Sequence, residues 1–402
     1  MNRKRLKIGI FMDNFYPTID GVVLVIDNLA KMLAKFNDVT VVVPYTSSVD
    51  EDFTRPYDVI RIGSIPVPFS EYRVGKVTTK ISKDYKKLLE KEFDIIHIHS
   101  PFTIGKLGLK IAKELNIPCI ATMHTRFDFE IRKIVNNKLV VKEVIKKLIK
   151  IYNKSDKCIA VNNAMVKVFK EYGYKYEPVV IYNGTDLLPL KEKEKNISRV
   201  NKLYDINKDD VVFLFVGRLT DIKNIFFILD SLKLLKDDGI KFKMLYVGTG
   251  PDENKLKSEI KKYDMEDSVI LTGRLTDRIL LSSIYARADL FLFPSLFDAS
   301  SLVQIEAAVN ETPGLFIEGS VTSDTVINDV SGFTSKLDKM EYKNRIKEII
   351  DDKKNLKRVS INARKMLGKN WKEIADETYN LYISEISKKE DLKWKKNMQV
   401  WY

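Results

Sequence analysis

Along the chain, short apolar runs of strand length alternate with longer stretches in which apolar residues recur at helical spacing. KIGIFM, DVTVVVP, DIIHIHS, PCIATMH, KCIAVNN and PVVIYNG form a first series, and VVFLFVG, KMLYVG, SVILTG and DLFLFPS a second. Such alternation predicts parallel sheets with crossover helices. Between the two series, Leu187 to Asn207 is polar, rich in Lys and Glu, and without a strand signal, so it reads as a linker. The expected fold class is α/β, with two doubly wound, Rossmann-like lobes over 1–190 and 191–368. A C-terminal helix over 369–388 and a basic, aromatic tail over 389–402 follow.

Length agrees with this division, since 402 residues at 45% hydrophobic content can bury two sizeable cores. The two cysteines, Cys119 and Cys158, each lie in an apolar run, so neither a disulfide framework nor a zinc cluster is indicated. The opening MNRKRLKIGIFMDNF has a basic start, but Asp13 interrupts its apolar run and no small-residue cleavage site follows. No stretch reaches the roughly 20 apolar residues that span a bilayer. The expectation is a cytosolic protein, soluble or peripheral on a membrane. A formal charge of +13 calls for an anionic partner. Residues 72–93 carry a net +4 and residues 126–157 a net +6, so most of the excess sits in the first lobe.

In open parallel sheets ligands bind beyond the carboxyl ends of the strands. Those ends carry Asp13, His99, His124, Asn183, Gly184, Arg218, Gly248 and Asp298. In FVGRLTDIKN, Arg218 follows a strand and Lys223 lies near the start of the next helix. Two cations beside free helix N–H groups suit a diphosphate, and the alternative is a pair of solvated surface cations. In LFPSLFDASSLVQIEAA, a helix beginning near Ser300 leaves Asp298 at its mouth and Glu306 nearly two turns in. Carboxylates so placed can accept sugar hydroxyls, although Asp298 or Ser300 could equally be a helix cap. Alternation puts His97 and His99 on one face of a strand, and His99 and His124 close their strands, where an imidazole can orient a hydroxyl or pass a proton. His97 reads as packed. In DNFYPTIDGVV, Gly21 stands at a helix entrance, where it allows a ligand close to the backbone or serves a turn. The Gly248-Thr249-Gly250 triplet lacks the third glycine of a dinucleotide fingerprint.

Absent patterns narrow the field. The sequence contains no GxxxxGK[ST] loop and no GxSxG elbow. Its Asp-x-Asp, Asp50-Glu51-Asp52, lies in a polar loop and reads as solvated, not as a metal site.

Taken together, DNFYPTIDGVV, HSPFTIGKLG, ATMHT, VIYNGTD, FVGRLTDIKN, YVGTGP and FDASSLVQIEAA, in that order, resemble the retaining glycosyltransferases of family 4. The resemblance extends to about residue 385. It implies the two-lobed fold called GT-B, its lobes facing each other across a donor-binding cleft, and a C-terminal helix near Trp371 that crosses back to the first lobe. It further implies that Arg218 and Lys223 hold the donor diphosphate and Glu306 the ribose. Asp298 and His124 face the hexose as catalytic residues, and Gly21 lies near the diphosphate. Ser301, Leu302 and Val303 join the donor-binding set at the helix mouth, with His99 and Asp13 on the acceptor side. The donor is a nucleotide-sugar such as UDP-glucose, and no metal or other cofactor is implied. Where family members commonly carry Glu-Gly-Phe-Gly, this chain has Asp298-Ala299-Ser300-Ser301.

Residues 126–157 mix Lys with Ile, Val and Leu at spacings that fit an amphipathic helix with a basic face, able to lie on an anionic membrane or to pack on the lobe. In the tail, Trp394, Trp401 and Tyr402 stand among Lys393, Lys395 and Lys396, a composition suited to a membrane interface. The opening region and the HSPF segment resemble the branch that glucosylates diacylglycerol, which implies a membrane-lipid acceptor. The rival readings are a transferase of cell-surface polysaccharide or teichoic-acid synthesis, a nucleotide-sugar 2-epimerase, and a non-catalytic sugar-nucleotide-binding subunit. No stacking platform or motif points to nucleic acid.

Overall fold

The first apolar run becomes β1 (Lys7–Phe11), and Asp20 then caps α1 (Gly21–Leu33) by accepting from the backbone N–H groups of Val22 and Val23. The computed structural model describes residues 4–18, 20–46, 50–66, 73–76, 82–132, 135–187, 189–296 and 298–399. After α1 come β2 (Asp38–Pro44), β3 (Asp58–Ile62), a hairpin of β4 (Ser64–Pro66) and β5 (Arg73–Gly75), and α2 (Lys83–Leu89). There follow β6 (Ile95–Ile98), α3 (Thr103–Leu115), β7 (Cys119–Met123), α4 (Phe127–Arg132), α5 (Lys138–Tyr152), β8 (Lys157–Ala160), α6 (Asn163–Glu171) and β9 (Val179–Val180). The described residues form a seven-stranded parallel sheet in the order β3-β2-β1-β6-β7-β8-β9. Every residue of β2 after Asp38 is buried, as a strand covered on both faces requires.

The second unit opens with α7 (Lys193–Leu203) and continues through β10 (Val212–Val216), α8 (Ile225–Asp237), β11 (Lys243–Val247), α9 (Glu253–Lys262), β12 (Val269–Gly273) and α10 (Arg278–Arg287). It closes with β13 (Leu290–Leu292), α11 (Leu302–Val309), β14 (Gly314–Ile317), β15 (Phe333–Ser335), α12 (Lys339–Asp351) and α13 (Lys353–Leu367). Its described strands make a six-stranded parallel sheet, β12-β11-β10-β13-β14-β15. Phe215, Phe291, Phe293 and Phe316 fill its centre, with Phe291 and Phe293 stacked at 5.2 Å.

The chain divides into Met1–Asn183 with Trp371–Tyr402 and Gly184–Asn370. The first lobe thus ends before residue 190, because Thr185 bridges Asn370 and Leu187 enters the second core. The stretch read as a linker folds instead. Within it α7 buries Val200, a single apolar anchor that polar flanks hide from a periodicity reading. The final helix, α14 (Trp371–Gln399), belongs to the first unit, where Tyr379 donates to the Lys4 carbonyl and Lys389 pairs with Asp156. It runs through the described part of the basic stretch taken as a separate tail; Trp401 and Tyr402 lie outside the described residues.

Candidate active site

Both sheets have a switch point, where strand order reverses and two connections leave in opposite directions. In the second unit it lies beside β10, which pairs with β11 on one side and β13 on the other. The loop after β10 carries Lys223, whose ammonium pairs with Asp298 from the loop after β13 and lies 5.7 Å from the centre of the Phe293 ring. Asn224, in the left-handed region at φ 56°, ties the same two loops by donating to the Pro294 carbonyl at 2.7 Å. Arg218 is exposed and makes no ion pair among the described residues. The structure thus brings Lys223 to Asp298. Two side-chain atoms here, Asp298 Oδ2 and Ser295 Oγ, are buried without a hydrogen-bond partner. Each such atom costs about 1–3 kcal/mol, a cost that a polar ligand can relieve.

Helix α11 starts one turn beyond Asp298. Ser301, at its N-cap, gives no side-chain cap, and Leu302 and Val303 form its half-buried first turn. The sequence reading set the start at Ser300. Glu306 is buried on the next turn. Its Oε1 accepts from Arg278 at 3.0 Å and its Oε2 from the Tyr285 hydroxyl at 3.0 Å, while Arg278 also pairs with Asp186. Burial raises the Glu306 carboxyl above its ordinary value, against the pull of Arg278 and Tyr285. Sequence reasoning missed Arg278, Tyr285 and Asp186. Arg278 sits a few residues past the end of β12, where the strand-end rule could have found it, and Asp186 closes the VIYNGTD segment.

In the first unit the switch point lies between β1 and β6. Asp13, just past β1, is fully engaged: it accepts from Ser100 Oγ at 2.6 Å, Thr103 Oγ1 at 2.9 Å and the backbone N–H groups of Ile104 and Gly105. It therefore caps α3, whose own N-cap position, Phe102, supplies no side-chain bond. Nearby, His99 Nδ1 meets His124 Nε2 at 2.8 Å, and the His97 and His99 rings lie 4.0 Å apart on one strand face. His97 is packed and satisfied by Tyr382 and Thr122, each at 2.7 Å, whereas the buried His99 Nε2 has no partner. Desolvation pulls all three imidazoles down, His97 to about 3, so they are neutral at pH 7. His124 is therefore a neutral hydrogen-bonding group in the fold.

Gly21 opens α1, and a β-carbon there would meet nothing within 4 Å. The glycines of the GTG triplet have a structural role: a β-carbon on Gly248 would lie 2.0 Å from the Gly217 carbonyl oxygen. Asp52 corrects an expectation. It is not solvated but buried against Arg61, at 2.5 Å, because the turn after β2 folds over β3. Among the described residues no group of three or more His, Cys, Asp or Glu side chains could hold a metal ion, and no helix is long and apolar enough to cross a membrane.

The chain matches known proteins along most of its length. Residues 19–187 fit the family described as Glycosyltransferase Family 4, and residues 197–366 fit Glycosyl transferases group 1. The chain is a glycosyltransferase, its first part matching family 4. Among its relatives is the alpha-monoglucosyldiacylglycerol synthase of Streptococcus pneumoniae, 28% identical, with 81% of this chain and 74% of that protein covered. The enzyme of the same name from Acholeplasma laidlawii is 27% identical, covering 77% and 79%. An Escherichia coli UDP-Gal:alpha-D-GlcNAc-diphosphoundecaprenol alpha-1,3-galactosyltransferase is 26% identical, covering 83% and 86%. Among solved structures, Anabaena Alr3699/HepE in complex with UDP superposes with a TM-score of 0.76 at 18% identity, over 94% of this chain and 100% of that one. The fold is that of the GT-B glycosyltransferases, two parallel-sheet Rossmann-like lobes, and the chain is a hexosyltransferase.

Proposed function

We propose that this glycosyltransferase moves a hexose with retention from a UDP-sugar onto a membrane lipid such as diacylglycerol, without a metal ion. The observation that carries the donor reading is the second unit's switch point. There Lys223 and Asp298, two unpartnered buried oxygens and the Glu306 carboxylate collect within the loops after β10 and β13 and on α11. In this reading Lys223 and Arg218 bind the diphosphate and supply the positive charge that a metal gives elsewhere. Glu306 takes the ribose hydroxyls, while Asp298 and the first turn of α11 face the hexose.

The reaction breaks the bond from the anomeric carbon to the phosphate oxygen and forms one to the acceptor hydroxyl on the same face. The hydroxyl proton passes to the departing phosphate oxygen, so no enzymic nucleophile is needed. Catalysis is then electrostatic stabilisation of the diphosphate and alignment of the acceptor, with the neutral His124 as hydrogen-bonding partner of the sugar and His99 behind it. Asp13 acts on the acceptor side by fixing the HSPF loop.

The lipid acceptor is supported by two observations. Two of the relatives are named for diacylglycerol. Helix α5 buries Val141, Ile145, Leu148 and Ile149 yet leaves Leu139 75% exposed, beside the exposed Lys138, Lys142, Lys146 and Lys147. A basic helix with an unburied apolar end suits an anionic membrane surface, and peripheral attachment on the cytoplasmic side follows. The test supplies UDP-, GDP- and ADP-sugars with anionic vesicles containing diacylglycerol in EDTA, and reads both nucleotide release and label in the lipid. Lipid labelling that survives EDTA is the expected result. Release without lipid labelling overturns the acceptor and directs the search to polysaccharide precursors, whereas an altered sugar-nucleotide without any acceptor indicates an epimerase.

A further inference from the structure

We propose that Arg278 is a positioning residue for the donor nucleotide, its guanidinium bridging Asp186 and Glu306 so that the Glu306 carboxylate stays aimed at the ribose diol. This rests on the reading of Glu306 as the ribose contact. Arg278 is the first residue of α10, whose N-terminus Asp277 caps by accepting from Ile279 and Leu280, so its backbone is fixed. One of its terminal nitrogens serves both carboxylates. Tyr285, two turns along the same helix and buried, donates to the other oxygen of Glu306.

An ionised carboxylate has about four acceptor sites. Arg278 and Tyr285 each take one, on different oxygens, which leaves one site per oxygen for two adjacent hydroxyls. The Glu306 side chain is still 11% exposed, so those sites can be reached, and Arg278 is 44% exposed at the rim.

The arrangement also governs charge. Burial works against ionised Glu306, and Asp186 adds to that, while Arg278 and then Tyr285 oppose it. Other charged groups near α11 are committed elsewhere. Glu311 pairs with Lys193 and with Arg364 of α13, Arg287 of α10 bonds Asn201 and two backbone carbonyls, and β14 carries no titratable side chain. Without Arg278, Glu306 keeps one neutral donor and takes up a proton at higher pH. A protonated carboxyl accepts fewer hydroxyls.

The test measures equilibrium binding of UDP-, GDP- and ADP-glucose, whose phosphates do not titrate over the range, from about pH 5 to about pH 8. Wild type is compared with Arg278→Gln, Arg278→Lys and Tyr285→Phe, each checked for folding by circular dichroism. For whichever nucleotide-sugar binds wild type, affinity is expected to fall on the acid side. Arg278→Gln and Tyr285→Phe should move that fall to higher pH, with a deficit of about tenfold or more near pH 6 that narrows toward pH 8, one pH unit of displacement being tenfold. Arg278→Lys, which keeps the charge and folds where a neutral residue fails, should restore most of the wild-type profile. A deficit that is the same at every pH, or no deficit, overturns the positioning role while leaving the donor site intact. Failure of wild type to bind any of the three overturns the donor reading itself, and this inference with it.

Discussion

Two glycines show how differently one residue type can be used. A β-carbon at Gly105 would lie 1.7 Å from the Ser100 carbonyl oxygen, inside the knot that Asp13 ties between β1, β6 and α3, whereas Gly21 faces open space. Gly105→Ala should therefore destabilise the first unit by about 1–3 kcal/mol, the usual cost of overpacking, seen as a lower melting temperature. Gly21→Ala should leave melting unchanged and lower transfer activity at least tenfold if the donor approaches the backbone there; unchanged activity would remove Gly21 from the site. Lys223→Ala takes away the charge proposed to meet the diphosphate and should cost roughly a hundredfold in kcat/KM, about 3 kcal/mol, with little change in melting. At this scale the strand-end rule pointed to the loops beyond β6, β7, β10 and β13, and the structure brings His99 to His124 and Lys223 to Asp298 there. The sequence was not legible for partners that tertiary packing alone brings together. Nothing in the spacing of Arg278 and Tyr285 tells that they converge on Glu306, or that Asp186 pairs with Arg278, nor that Tyr382 reaches back to His97.

Among the elements, α5 makes the most exposed claim. Leu139→Asp with Val140→Asp, or Lys142→Glu with Lys146→Glu, leaves the buried face of the helix untouched, so the protein should fold as wild type. Each pair should lower sedimentation with anionic vesicles and the lipid-labelling rate several-fold, while binding of the nucleotide-sugar stays constant. Equal vesicle binding by all variants would contradict the membrane role of the helix. The apolar strands and their crossover helices were legible because burial on both faces leaves near-continuous runs, as in DVTVVVP. The strands β3, β14 and β15 and the β4–β5 hairpin were missed. They are short, three to five residues each, with β3 and β15 at sheet edges and β3 of mixed composition, DVIRI, and α7 was hidden because only Val200 is buried along it.

At the scale of the whole molecule, the three histidines lie in one unit, and this sets its response to acid. His97 is held to about 3 in the fold against an ordinary 6.5, and His99 and His124 are lowered as well. The stability they contribute is therefore present above about pH 6.5 and is lost as pH falls toward 3, since the unfolded chain takes up protons that the folded one refuses. Each such group contributes about 1.4 kcal/mol per pH unit inside that window. Melting followed from pH 7 to 4 should show the first unit losing stability earlier than the second, and His97→Asn should flatten the slope; parallel losses in both units would contradict this. The α/β class and the two-sheet plan were legible from the alternation of runs, and the return of α14 to the first unit was expected from the family resemblance alone, since it depends on contacts such as Tyr379 with Lys4 that no local pattern announces.

Donor binding by the second unit, through Lys223 and its neighbours and without a metal, is the proposal on which the other readings depend. It is tested most directly by calorimetric titration of UDP-, GDP- and ADP-glucose in EDTA into wild type and Lys223→Ala. Saturable one-to-one binding of at least one of them to wild type, weakened at least tenfold in the variant, is the expected result. Absence of binding by all three, binding that requires a divalent cation, or binding that Lys223→Ala leaves unchanged would contradict it.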